Sequence, residues 1–196
     1  MENRTNILVS ELKKIITPDT AFVCIGARNH ICTLDSVGPR IGDKLFNAGI
    51  PYVYGTNAEP YNGLTYQEMN KKLAQDLSLN TKIIAIDISS TTKEHKIGKV
   101  ELTQGSIFPG SGVGKNMPPV GDYAIRAFIM RANERHFLSD YVLKNSAEYG
   151  AKLSLVYEMT NLISGAIIKA YEESLTLPIL DQLEINSKKH KVNCLI

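Results

Sequence analysis

The stretch KIIAIDISS, Lys82–Ser90, drives an apolar run straight into a carboxylate, Asp87. A short, continuous, β-branched run of this kind reads as a strand buried on both faces, over Lys82–Ser89. Upstream, AFVCIG (Ala21–Gly26) gives a first strand of the same kind and PYVYGT a second, Tyr52–Thr56. Between them, GPRIGDKLFNAG places Pro39 at a first helical position and Gly49 near a helix end. TYQEMNKKLAQDL spaces Thr65 and Glu68 as a capping box and predicts a helix to about Leu77. Strand, helix, strand, helix, strand is the order of right-handed crossovers and a mainly parallel α/β sheet.

Farther along, KIGKVELTQGSIF alternates like a strand added on the sheet's flank, and YAIRAFIM gives a last strand. Ala147–Glu173 carries Leu153, Val156, Leu162, Ile163, Ala166 and Ile167 at three- and four-residue steps, the pattern of a long amphipathic helix. These elements make one α/β domain over residues 1–176, followed by a C-terminal tail, 177–196, that begins with Leu177 and Pro178.

The 196 residues suit one core, and 43% hydrophobic with 21% charged residues is ordinary for a globule. A net charge of +2 with scattered basic residues predicts neither a nucleic-acid nor a membrane partner. No run of about eighteen apolar residues predicts a membrane span, and the polar N-terminus MENRTNILVSELKKII lacks a secretory pattern. Cys194 stands third from the end, so VNCLI is not a prenylation box. Three cysteines without metal-ligand spacing predict free thiols in a reducing cytoplasm.

Four features compete for a functional role. PGSGVGKN, Pro109–Asn116, looks like a phosphate loop. The Walker pattern, however, needs glycine at Pro109 and Ser or Thr at Asn116, and Lys115 breaks the dinucleotide pattern. A long connector whose glycines take left-handed angles beside a site is the plainer reading. The four histidines stand apart, although His30 with Asp35 and Asp87 makes a possible ligand set. Spacing alone assigns no metal and no cofactor. Cys24 reads as core filler inside a strand, and Cys32 has only His30 as a nearby base.

The aspartates carry the sharper reading. Singly, Asp35 can cap the helix near Pro39 and Asp87 can tie down a turn. Taken together, they belong to strands one and three, which are neighbours when the first strand is central and the chain winds to either side. Both carboxyls then face the crevice beyond the strands' carboxyl ends. Two carboxyls in one crevice repel, so one stays protonated while the other holds water, which is equipment for amide hydrolysis.

TLDSVGPRIG (Thr33–Gly42), IIAIDISS (Ile83–Ser90) and GSIFPGSGVGK (Gly105–Lys115) resemble, in order and spacing, the spore germination protease. MPPVGDYAI (Met117–Ile125) and the chain's length look closer to the YyaC-type sporulation proteins, and both resemble the hydrogenase-maturation endopeptidases in fold. The resemblance implies a phosphorylase/hydrolase-like three-layer fold with helices on both faces of the sheet. It also implies that Asp35 and Asp87 match the two aspartates proposed as catalytic in the germination protease; beside such a pair the glycine-rich loop, with Gly110, Ser111, Gly112 and Lys115, is expected to shape substrate access. The implied function is a cytoplasmic, sporulation-associated peptidase in the mother cell or forespore, with a protein or peptide substrate, spore proteins among the candidates. The alternative is a non-catalytic sporulation factor that binds a peptide or metal in the same crevice. No residue aligns with the histidine that completes the nickel set of the maturation endopeptidases, and the sequence leaves oligomeric state open.

Overall fold

A computed structural model of the chain describes residues 2–28, 34–110, 117–132 and 146–192, the last range with side chains over 150–176. Five strands form one sheet in the order β2-β1-β3-β5-β4. They are β1 (Ala21–Cys24), β2 (Val53–Tyr54), β3 (Ile83–Thr91), β4 (Val100–Gln104) and β5 (Tyr123–Arg131). β1 pairs in parallel with both β2 and β3, β3 with β5, and only the edge strand β4 runs antiparallel. The expected α/β class, the central first strand and the flanking added strand are all present.

Alternation along the strands builds two cores. Phe22, Cys24, Ile84, Ile86, Ile125 and Ala127 point to one face. There they meet α1 (Glu2–Leu12), α2 (Val37–Asn47) and α4 (Ser146–Val192) through Leu8, Leu12, Ile41, Leu45, Met159 and Ile163. The other face presents smaller residues, Ala21, Val23, Ala85 and Ala124, to Met69 and Leu73 of α3 (Tyr66–Asp76) and to Ile107 and Val120 of the β4–β5 connection. Small side chains let that connection lie close, since a Cβ on Gly121 would come within 2.9 Å of the Ala85 Cβ.

Several boundaries differ from expectation. Pro39 is the third residue of α2, because the helix begins directly after a 3₁₀ turn at Leu34–Ser36. It still lies in the first turn, where an N–H has no helical partner. Thr65 does precede α3, but the capping box does not form. Its hydroxyl turns back to the Pro60 carbonyl at 2.5 Å, spent on closing the preceding loop. α4 extends past Glu173 and through Pro178 to Val192, so the backbone at the start of the expected tail is helical.

Two glycines set how closely α2 sits on the strand ends. A Cβ on Gly38 would stand 2.0 Å from the Ile25 carbonyl oxygen, and one on Gly42 2.3 Å from that of Gly55. Backbone cannot yield as a side chain can. Gly38→Ala is therefore expected to destabilise the fold at the upper end of the roughly 1–3 kcal/mol typical of overpacking. Urea unfolding measures it, and an unchanged midpoint would contradict this close approach.

Candidate functional site

The site grows from the point where β1 stops. The Ile25 N–H still donates to the Ile86 carbonyl at 2.8 Å, whereas the Gly26 N–H turns to Tyr61 at 2.9 Å. Gly26 takes φ 152°, and a Cβ there would lie 2.2 Å from the Asp35 carbonyl oxygen. Only glycine lets the Leu34–Ser36 turn seat itself on the strand end. The Ala27 N–H closes the seat by donating to that same carbonyl at 3.0 Å. On the far side, Ser36 is fully buried and accepts from Arg40 Nε at 2.9 Å, while the Arg40 guanidinium stacks 4.6 Å from the Tyr157 ring of α4. Asp35 is thereby held from both directions.

Asp87 sits in the middle of β3, not at its end, because β3 outruns β1. The last β1–β3 pair is Cys24 with Ile86, so Asp87 is the first β3 residue past the end of β1. It alternates with Ala85 and therefore faces the α3 side. The Ile88 N–H donates to its Oδ1 at 2.8 Å.

Both aspartates are half-buried. Burial pushes the Asp35 carboxyl up from 3.8 to about 6, partly opposed by the Ala27 N–H. The Asp87 carboxyl is raised well above its ordinary 3.8, first by burial and then by the charge on Asp35, with the Ile88 N–H and Arg126 acting in the opposite sense. Burial disfavours the charged form of each acid, and a charge on either one disfavours ionising the other. The two carboxyls therefore titrate as a pair, and ionising both at once is disfavoured.

Sequence reasoning missed Arg126, the register partner of Asp87 on β5. Its Nη1 donates to Thr103 Oγ1 at 2.8 Å and its Nη2 to the Ser106 carbonyl at 3.1 Å. A lone arginine interrupting the apolar run of YAIRAFIM was the available signal. The glycine-rich loop leaves from the same corner. Ser106 Oγ donates to the Gly121 carbonyl at 2.7 Å, Ile107 pairs with Val120, and Tyr66 Oη donates to the Pro118 carbonyl at 3.3 Å. Gly110 has φ 75°, the left-handed angle expected of it. Ser111, Gly112 and Lys115 lie outside the described residues, as do His30 and Cys32.

Among the described residues, no three His, Cys, Asp or Glu side chains cluster as metal ligands, and no helix is long and apolar enough to cross a membrane. Cys24 is fully buried, and burial pushes its thiol far above the range of a nucleophile.

The family described as "Protein of unknown function (DUF1256)" matches residues 1–166, a span that holds both aspartates, Arg126 and the packed residues of α4 from Val156 to Ala166. The chain belongs to the DUF1256 family. It is also 31% identical over 160 residues to "Uncharacterized protein YyaC" of Bacillus subtilis (strain 168), covering 81% of this chain and 72% of the relative. The YyaC resemblance read from the motifs is thus present along most of the chain. Neither description names a reaction, a protease or sporulation. What these two stretches do physically is visible in the fold: TLDSVGPRIG supplies the acid and the glycines that let its helix approach, and IIAIDISS supplies the strand that carries the second acid past β1.

Proposed function

We propose that this protein is a peptidase that hydrolyses peptide bonds with the Asp35–Asp87 pair, and that it acts in sporulation. The observation that carries the reaction is the placement of two half-buried carboxyls from separate elements where β1 ends beside β3, Asp35 in the turn seated on that end and Asp87 in the first β3 residue past it. The sporulation setting rests on the likeness of its motifs to the germination protease.

In this reading ionised Asp35 takes a proton from water as the water oxygen attacks the peptide carbonyl carbon. Asp87 gives its proton to the carbonyl oxygen, so the tetrahedral intermediate is neutral. On collapse, Asp35 delivers its proton to the leaving nitrogen as the C–N bond breaks. The hydroxyl proton of the intermediate returns to Asp87. The pair ends as it began, with one proton and one charge. Gly110, Ser111, Gly112 and Lys115 are proposed to border the path by which the substrate enters.

The test is to incubate the purified chain with a protein extract of spores and identify new peptide termini by mass spectrometry. Termini that appear with the wild-type chain and not with Asp35→Asn are expected. If no termini appear with the wild-type chain, the peptidase reading is overturned, and thermal stabilisation by spore peptides would then favour a binding role in the same crevice.

A further inference from the structure

Arg126 stands out among groups the reaction above does not use. It is the register partner of Asp87 on one side and of Glu101 on the other, and alternation puts all three on the α3 face of the sheet. Glu101 closes its ion pair with Lys96, at 2.7 Å. Among the described residues no carboxylate closes an ion pair with Arg126. Both oxygens that hold its guanidinium are uncharged, one from β4 and one from the base of the glycine-rich loop. Two arms bonded to different segments fix a planar fork as one arm would not.

We propose that Arg126 is a positioning residue: anchored by Thr103 and Ser106, it holds a fixed positive charge beside Asp87 and ties the carboxyl pair to the base of the glycine-rich loop. The charged groups about Asp87 are then Asp35 from the turn before α2 and Arg126 from β5, with Glu101 of β4 and Lys96 of the turn that precedes β4 bearing on Arg126. Burial and Asp35 together would make Asp87 too weak an acid to give up its proton. A neighbouring cation held by two hydrogen bonds limits that weakening. The catalytic consequence rests on the peptidase reading, whereas the electrostatic one does not.

The test is a ¹³C-carboxyl NMR titration of Asp87 in the full chain, assigned by the signal lost in Asp87→Asn. Arg126→Leu is expected to move the Asp87 midpoint upward by about one pH unit, and Arg126→Lys to keep it near the wild-type value. Thr103→Val retains the charge but frees one arm, and is expected to move the midpoint the same way by a smaller step. An unmoved midpoint in Arg126→Leu overturns the proposal, and so does a shift in Arg126→Lys as large as that in Arg126→Leu. Should Arg126→Leu not fold, an unmoved midpoint in Thr103→Val overturns it. Where cleavage is measurable, the alkaline limb of kcat/KM follows the same order. Cleavage without any midpoint shift would leave the peptidase reading standing and remove this role for Arg126.

Discussion

Asp87→Asn is expected to slow peptide-bond cleavage by roughly 10²- to 10⁴-fold, the range for loss of a positioned general acid, without lowering the melting temperature. Asparagine matches the shape of a protonated aspartate, and its side-chain oxygen can still accept from the Ile88 N–H that now reaches Asp87 Oδ1 at 2.8 Å. What it lacks is a proton it can give to a carbonyl oxygen. Asp35→Asn is expected to fail by a comparable factor for the opposite reason, since it cannot take a proton from water. The two losses should not add in the double variant, because the acid and the base act in one step. Steady-state cleavage of a substrate found in the spore extract measures all three. Full activity in either single variant would end the case for the pair. A loss accompanied by a lower melting temperature would point instead to damaged folding.

Much of this architecture was legible because buried parallel strands write themselves as unbroken apolar runs. Ala21–Cys24 and Ile83–Ile86 lie between helices on both sides, so nearly every side chain had to be apolar, and an acid at position 87 became conspicuous. Asp35 was legible from its place before a Gly-Pro helix start. Two features were not. Arg126 matters through its register with Asp87 and Glu101, and register is a property of pairing that one strand's sequence does not carry. Asp87 looked terminal but is central in β3, because the end of β1 is set by Gly26 and by the turn packed on it. The hydroxyl of Thr65 likewise chose the Pro60 carbonyl over the helix N-terminus, a competition the local spacing of Thr65 and Glu68 does not reveal.

The same pair should leave a mark on stability whether or not any substrate is known. In the unfolded chain Asp35 ionises near its ordinary 3.8, and in the folded chain near 6. Below the lower value both states hold the proton and the carboxyl costs nothing. As pH rises from there the unfolded state releases its proton first, so the folded state binds more protons and loses stability, until the folded carboxyl ionises as well. The full penalty, up to about 3 kcal/mol, is reached above pH 6 and persists. Asp87, also raised by burial, loses stability with rising pH in the same sense. Asp35→Asn is therefore expected to unfold at higher denaturant than the wild-type chain at pH 7, and at the same concentration near pH 3.5. Exposed pairs such as Lys13 with Glu173, where the neighbouring lysine lowers the carboxyl, slope the other way with pH. They are common to both proteins and cancel in the difference. Urea midpoints of the two proteins across this range measure the gap, which must open with rising pH. A gap that is absent, reversed, or the same at every pH would mean that Asp35 is not the strained carboxyl described here, and the pair would lose the charge asymmetry on which its chemistry depends.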